Sequence, residues 1–182
     1  MNWVLINDEK QFGITVHLID EGIDTGDIII KKLYPISDKD NYQSLLNKSF
    51  LECPILIHKS IKMYQKKKIN LIEQKSIHKN GFYCPGRIVG DEIISWNQNS
   101  RDIFNFIRAI SYPGPFAITT LNSKIVKIKK AKLIKCAVIH KGIPGCIIGM
   151  GEDFFVVKTK DSSIKILEWE SKTKLKIGDR FG

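Results

Sequence analysis

The chain has 182 residues, 43% of them hydrophobic, and a formal net charge of +10 at pH 7. This length fits one ordinary domain or two small ones, and the hydrophobic fraction is typical of a folded protein. The longest apolar runs fall well short of the ~20 residues that cross a bilayer, and no basic, apolar leader precedes Trp3. We therefore predict a cytoplasmic protein without a membrane partner. The basic charge is compatible with an anionic partner, although a solvated lysine surface explains it equally well.

The four cysteines of the sequence give no sign of a metal site. Cys53, Cys84, Cys136 and Cys146 lie 31, 52 and 10 residues apart. Structural zinc sites use cysteine and histidine ligands at short, paired spacings such as CxxC, and no such pair occurs here. We expect reduced thiols and no metal.

The first predicted elements are two strands. Residues 12–18, FGITVHL, are mostly apolar and β-branched, which predicts a mostly buried strand. The second strand, IIIKKLYPI, begins at Ile28 and stops near Pro35.

An acidic stretch, HLIDEGIDTGD, occupies residues 17–27 of this otherwise basic chain. Its acids are Asp20, Glu21, Asp24 and Asp27. An EF-hand would need acids at alternate positions and glycine at the sixth, which this spacing does not match. A solvated turn and a catalytic loop both fit, since Gly22 and Gly26 allow the backbone to approach a ligand. Asp24 follows His17 by seven residues, and a turn of that length can fold its carboxylate back toward the strand.

A long helix is predicted after the second strand. Ser37 or Asp38 can cap it, and apolar residues then recur at steps of three and four as far as Tyr64. Pro54 lies inside this run and should kink or divide the helix. Residues 66–81, KKKINLIEQKSIHKNG, lose the periodicity and gain charge, which predicts an exposed connection.

A second structural unit is predicted from about Gly86. Asn99 or Ser100 can cap a short helix that ends before residues 113–115, Pro-Gly-Pro. Short strands separated by turns follow and predict a small barrel or sandwich. These strands cover residues 116–120, 124–128, 145–148, 154–158 and 164–168.

The short helix should pack its apolar face against these strands. Arg101 and Asp102 are expected to be exposed, and Arg108 is expected on the rim of the helix, as a surface arginine that pairs locally. The predicted core residues are Trp96, Ile103, Phe106, Ile107 and Ile110.

Three blocks of the sequence resemble the folate-dependent formyltransferases. This family includes methionyl-tRNA formyltransferase, glycinamide ribonucleotide transformylase and the sugar N-formyltransferases. The first block is GITVHLIDEGIDTGDIII, residues 13–30. The second combines GDEIISW, DIFNFIRA and PGPFA, residues 90–117, and the third is KGIPGCII, residues 141–148. The resemblance covers nearly the whole chain and identifies the family, not the acceptor.

The resemblance implies a fold and a reaction. The fold is an α/β remnant of a Rossmann-like formyltransferase domain with its connection, residues 1–80, followed by a small OB-like β-barrel domain, residues 86–182. The reaction transfers a formyl group from 10-formyltetrahydrofolate to a primary amine. The Asp24 carboxylate would orient an imidazole and a water and relay a proton, and His17 is a second catalytic candidate, with a satisfied strand-end histidine as the alternative. The implied folate-binding residues are Asp20, Glu21, Gly22 and Ile23, through their backbone groups.

The family also has an Asn-x-His pair, in a stretch resembling HPSLLPxYRG, that this sequence lacks. The chain resembles the family only from MNWVLINDE onward, as a fragment or a truncated reading frame would. The asparagine donates to the developing oxyanion and the histidine acts as an acid, and His58, His78 and His140 are not placed to replace it. We therefore expect that the chain alone is not a competent formyltransferase, and that its first 80 residues are poorly stable or oligomeric.

Two acceptors fit the resemblance. The C-terminal sequence KILEWESKTKLKIGDRFG lacks the late Gly-Lys-Lys step of the tRNA enzymes, which favours a nucleotide-linked amino sugar. The alternative is initiator methionyl-tRNA, whose phosphates would contact lysines of residues 124–136, KIVKIKKAKLIKC. A lysine-coated edge strand explains that run equally well.

An inactive binding module or a homodimerising domain is also compatible with the sequence. A binding module would stack bases on aromatic side chains, although core packing is the preferred role for them. These side chains are Phe116, Phe154, Phe155 and Trp169.

Overall fold

The computed structural model describes residues 1–77 and 81–182, so His78 of the predicted connection lies outside the described residues. Its elements are α1 (Asn2–Ile6), β1 (Gln11–His17), β2 (Ile28–Pro35), α2 (Tyr42–Gln65), α3 (Gln74–Ile77), α4 (Ser100–Ala109), β3 (Ala117–Leu121), β4 (Lys124–Leu133), β5 (Ile147–Met150), β6 (Phe155–Lys158) and β7 (Ser163–Ser171). They form two compact units. The first unit comprises Met1–Glu9, Asp38–Gln43 and Arg87–Gly182, and the second unit comprises Lys10–Ser37 and Ser44–Gly86. In the part of the chain so described, no helix is long and apolar enough to cross a membrane.

The two compact units differ from the predicted domains, 1–80 and 86–182, because the early segments Met1–Glu9 and Asp38–Gln43 belong to the first unit. Arg101 ties both segments to α4, since its guanidinium lies 2.6 Å from the Asp8 carboxylate and 2.7 Å from that of Asp38. Arg101 is therefore half-buried, and the prediction that it is exposed is wrong. The domain boundaries themselves stay a prediction.

β1 and β2 form an antiparallel hairpin in the second unit, as predicted. Phe12 stacks on its cross-strand neighbour Tyr34 with ring centroids 5.1 Å apart, and both residues are buried. The rest of β1 is exposed or half-buried, since its sheet in the described structure has two strands. The prediction of a mostly buried strand is therefore wrong, because Phe12 alone in β1 is buried.

α2 begins at Tyr42, not at the predicted caps Ser37 and Asp38, because residues 38–41 form a turn and its exit. It then continues through Pro54 for 24 residues, so Pro54 does not divide the helix, and the predicted kink stays a prediction. The missing N–H removes one hydrogen bond, which a helix of this length tolerates. Many of its apolar side chains are exposed, namely Phe50, Leu51, Ile55, Ile57, Ile61 and Tyr64.

α4 carries the core of the first unit. Ile103, Ile107 and Ile110 are at most 1% exposed and Trp96 is 5% exposed, which confirms their predicted place in the core. Phe106 is half-buried and packs under the Arg87 guanidinium, 5.7 Å from its ring centroid. The three isoleucines therefore confirm the predicted apolar face of the helix, whereas the predicted place of Phe106 in the core is wrong because the residue lies at the edge of that face.

The strands of the C-terminal half form one antiparallel sheet in the order β3-β4-β7-β6-β5. This arrangement confirms the predicted fold class, an α/β part followed by a small β domain. β4 lies between β3 and β7, so its lysines do not protect an edge strand, and that explanation is wrong. Phe155 is fully buried, with its ring centroid 4.9 Å from that of Trp169 and 6.0 Å from that of Phe181.

Arg108 is buried at 6% exposure, so its predicted place on the helix rim is wrong. Its guanidinium donates to the Asn105 side chain at 3.0 Å and to the Asp40 carbonyl at 3.2 Å, and lies 5.1 Å from the ring centroid of Phe104. Burial, and then the neighbouring charge of Arg101, lower the pKa of Arg108. The predicted rim position is wrong because Asp40, which accepts a hydrogen bond from Arg108, lies 68 residues earlier in the sequence.

Asp161 caps α4 from outside the helix. Its carboxylate accepts hydrogen bonds from the Ser100 N–H at 2.8 Å, the Thr159 hydroxyl at 2.9 Å and the Ser162 N–H at 2.8 Å. Burial alone would raise the pKa of Asp161, but these hydrogen bonds outweigh it and hold the pKa below its ordinary value. The predicted cap Asn99 occupies the N-cap position but its side chain makes no capping hydrogen bond, so Asp161 satisfies a free N–H of the first turn.

Replacement of Asp161 with alanine should lower the free energy of unfolding by about 1 kcal/mol at pH 7, the usual effect of losing an N-terminal cap. The pKa of Asp161 is lowered in the folded chain, so its contribution is present above the unfolded pKa of about 3.9 and is lost as the pH falls through the folded value. Urea unfolding over this pH range measures both effects. Asp153→Ala, at an exposed position of the same unit, is the control. Equal stability of the two variants at pH 7 would contradict the cap.

Candidate active site

A loop of residues 18–27 joins β1 to β2 and is closed at its base. The Leu18 N–H donates to the Asp27 carbonyl at 2.9 Å. Beside this bond Gly26 is buried, and a Cβ atom at that position would overlap the Leu18 carbonyl oxygen. A residue without a side chain therefore lets the two ends of the loop approach this closely.

Asp20 organises the tip of the loop. One carboxylate oxygen accepts hydrogen bonds from the Gly22 N–H at 3.1 Å and from the Thr25 hydroxyl at 2.6 Å. The Thr25 hydroxyl is the main reason that the pKa of Asp20 lies below its ordinary value. Glu21 and Ile23 complete the tip, and both are exposed. The four predicted folate-binding residues thus lie side by side on an exposed turn that Asp20 bonds at Gly22 and at Thr25.

The loop returns Asp24 to the strand that it left. Asp24 Oδ1 lies 3.6 Å from Nε2 of His17, so the carboxylate folds back as the spacing predicts. Asp24 has a φ of 57°, a left-handed conformation that aspartate adopts more readily than most residues. Its side chain is 86% exposed, whereas that of His17 is 25% exposed. The structure therefore brings the two predicted catalytic residues together at the surface of the second unit.

The other ring nitrogen of His17 fixes the position of its proton. Nδ1 lies 2.7 Å from the Leu18 carbonyl oxygen. A carbonyl oxygen can only accept, so Nδ1 carries the hydrogen in this arrangement. The neutral imidazole then has its lone pair on Nε2, the atom that faces Asp24. Such a pair can accept a proton at Nε2 and stabilise the resulting imidazolium with the carboxylate.

Gln74 holds the loop from outside, and the sequence pattern did not reveal it. Its side-chain amide donates to the carbonyls of Asp24 at 2.8 Å and Gly26 at 2.7 Å. Two residues earlier, Ile72 pairs with Ile28 through two backbone hydrogen bonds of 3.0 and 2.8 Å. The predicted exposed connection is therefore fastened to the loop. Periodicity and charge report local structure, and this contact joins residues about fifty positions apart.

A cavity of about 610 Å³ lies against the loop, within the second unit. This volume is in the range of sites for small molecules. Its lining includes Asp24, Thr25 and Gln74 from the loop and its support, and the aromatic rings of Phe82 and Tyr83. Polar groups beside aromatic faces suit a flat ring with a polar edge.

Across residues 1–77 and 81–182, no group of three His, Cys, Asp or Glu side chains is arranged to hold a metal ion. Two acids of the loop contact different residues: Asp20 accepts a hydrogen bond from Thr25, and Asp24 lies beside His17. The cysteines Cys53, Cys84, Cys136 and Cys146 are free thiols.

The hairpin with its loop and the C-terminal sheet correspond to two known domain families. The family model of formyl transferase matches residues 1–71, and that of the formyl transferase C-terminal domain matches residues 89–181. The chain belongs to the formyltransferase family.

Two related proteins and one solved structure show the extent of the similarity. The methionyl-tRNA formyltransferase of Mycoplasma capricolum is 34% identical over 197 residues, which cover 100% of this chain and 61% of that protein. The bifunctional polymyxin resistance protein ArnA of Wigglesworthia glossinidia brevipalpis is 33% identical, over 92% of this chain and 24% of that protein. A crystal structure of an N-formyltransferase from Helicobacter canadensis, in complex with folinic acid and dTDP-3-aminofucose, gives a TM-score of 0.69 at 25% identity, over 92% of this chain and 59% of that one. The chain thus spans about three-fifths of the length of the Mycoplasma protein.

Gly26→Ala should open the base of the loop, because its Cβ atom cannot be placed beside the Leu18 carbonyl. We expect amide hydrogen exchange at Leu18 to accelerate roughly fivefold or more, which corresponds to the loss of about 1 kcal/mol from one hydrogen bond. Gly86→Ala is the matched control, since an added Cβ meets no atom within 4 Å there. The same exchange rate at Leu18 in both variants would show that the loop does not need glycine at this position.

Proposed function

We propose that this chain takes part in the transfer of a formyl group from 10-formyltetrahydrofolate to a primary amine. The observation that carries the proposal is the approach of Asp24 to His17 on a loop that the formyl transferase family model covers. The folinic acid bound in the related N-formyltransferase from Helicobacter canadensis supports the choice of a folate donor.

The proposed chemistry requires one proton to move between two nitrogen atoms. The amine forms a bond to the formyl carbon, and collapse of the tetrahedral intermediate breaks the bond from that carbon to the folate nitrogen. The attacking amine must lose a proton and the leaving nitrogen must gain one. His17 can accept this proton at Nε2, since its Nδ1 is bonded to Leu18. At 3.6 Å, Asp24 acts on the imidazolium by its charge or through a water molecule, because the distance is too long for a direct hydrogen bond.

The tip of the loop, residues 20–23, is the proposed folate contact. The hydrogen bonds to Asp20 hold its backbone in one turn, so little ordering is needed when a ligand binds. Backbone N–H and C=O groups of such a turn can pair with the polar edge of a pterin ring. Phe82 and Tyr83 offer aromatic faces in the adjoining cavity.

Initiator methionyl-tRNA is the acceptor that we propose first. The Mycoplasma capricolum methionyl-tRNA formyltransferase aligns with the whole chain, and β4 is rich in lysine without being an edge strand. Lysines that neutralise phosphates supply salt-dependent affinity for RNA. A nucleotide-linked amino sugar is the second candidate, supported by the C-terminal sequence and by the Helicobacter canadensis complex with dTDP-3-aminofucose. The β4 lysines are Lys124, Lys127, Lys129, Lys130 and Lys132.

Asp24→Asn should preserve folding and reduce turnover by about 10²–10⁴, the usual contribution of acid–base catalysis. Residues 1–182 are assayed alone and fused behind the part of the Mycoplasma capricolum enzyme that precedes the matched region. The substrates are 10-formyltetrahydrofolate with either initiator methionyl-tRNA or a nucleotide-linked amino sugar, and mass spectrometry detects the formylated product.

Glu73→Gln provides the matched control, since it makes the same chemical change at an exposed position of the second unit. Turnover of Asp24→Asn equal to that of the control would contradict the catalytic role. Formylation of one acceptor identifies the substrate class. No product with either acceptor, in both forms of the chain, would favour the inactive binding or dimerising module instead.

A further inference from the structure

We propose that Gln74 is a positioning residue of the candidate active site. It fixes the return segment of the loop and so holds the Asp24 carboxylate beside His17. The inference rests on the proposed function of this loop. Gln74 would act through the backbone of Asp24 and Gly26, without touching the reacting atoms.

The side-chain amide of Gln74 is fully engaged as a donor. A primary amide nitrogen has two hydrogens, and Nε2 donates to the Asp24 carbonyl at 2.8 Å and to the Gly26 carbonyl at 2.7 Å. These acceptors lie on either side of Thr25, so one planar group fixes the orientation of both. Gln74 is half-buried in a stretch where its neighbours Glu73 and Lys75 are exposed.

Backbone pairing sets the position of Gln74. The Ile28 N–H donates to the Ile72 carbonyl at 2.8 Å, and the Ile72 N–H donates back at 3.0 Å. This bridge lays the connection alongside the start of β2. Gln74 follows two residues later as the first residue of α3, within reach of the loop.

Contacts from outside the loop are needed to keep Asp24 beside His17, because its side chain is not packed and its backbone conformation is an uncommon one. Its side chain is 86% exposed and its φ is 57°, an uncommon conformation that persists when surrounding contacts impose it. One Asp20 hydrogen bond acts on the tip of the loop at Gly22 and the other holds the Thr25 hydroxyl, and the bond from Leu18 to Asp27 acts on the base. The bonds from Gln74 act on the return segment between them. Their loss would lower the fraction of molecules in which Asp24 faces His17.

Gln74→Met removes both donors with little change in volume. Gln65→Met makes the same change at an exposed position at the end of α2 and is the matched control. Three quantities are measured on the full chain: amide hydrogen exchange at Leu18 and Gly22, the melting temperature, and the Kd of tetrahydrofolate. We expect exchange at both amides to accelerate, and the Kd to rise, by roughly tenfold or more. The melting temperature should match that of the control.

Gln74→Glu adds a pH dependence that a general packing role would not produce. An ionised carboxylate cannot donate to the two carbonyls, whereas a protonated carboxyl group donates one hydrogen bond. The ratio of its loop exchange rates to those of the wild type at the same pH should therefore fall as the pH drops through about 4.3, the ordinary pKa of glutamate. The same ratio for Gln74→Met should not show this step.

Unchanged exchange at Leu18 and Gly22 in Gln74→Met overturns the inference, whatever the folate result. Faster exchange with an unchanged Kd for tetrahydrofolate also overturns it, because the loop would then bind without this support. Faster exchange together with weaker binding supports it. Failure of the wild-type chain to bind tetrahydrofolate counts against the proposed function of the loop, and the exchange rates and their pH dependence then decide whether Gln74 fixes its conformation.

Discussion

The hydrogen bond from the Leu18 N–H to the Asp27 carbonyl is the constraint on which the candidate site depends. It closes the loop at its base, and Gly26 permits the approach because a side chain there would overlap the Leu18 carbonyl. With the base closed, the return segment runs back beside β1 and places Asp24 within 3.6 Å of His17. With the base open, the same residues would form a solvated acidic turn, the alternative that the sequence alone also allows.

Charged groups fix distant segments in the first unit as hydrogen bonds do in the second. Arg101 forms ion pairs with Asp8 and Asp38. Arg108 is almost fully buried, and its guanidinium donates a hydrogen bond to the side chain of Asn105. A buried charge is costly unless it is paired and hydrogen-bonded, so these partners specify which early segments pack on α4. The first unit is therefore discontinuous in sequence, and its apolar core includes the fully buried Leu5 of the first segment.

Local patterns in the sequence predicted the strands of both units, the place of the loop, the apolar face of α4 and the return of Asp24 toward His17. These features depend on period and turn length, which a sequence shows directly. The burial of Arg108, the exposed apolar side chains of α2, the central place of β4 and the support from Gln74 depend on contacts between distant segments. No pattern of period or charge reports such contacts. Of the candidate site, the loop was therefore predictable and its external support was not.

A nuclear magnetic resonance titration of the 182-residue chain with tetrahydrofolate tests most directly whether this loop is a folate site. We expect the amide signals with the largest chemical-shift changes to belong to residues 17–27 and to Gln74, with smaller changes in the five-stranded sheet. Asp24→Asn should keep these changes, since its carboxylate is proposed to move protons while the loop backbone binds the folate. Changes centred on the sheet, or no change at any tested concentration, would contradict the claim that this loop is a folate site.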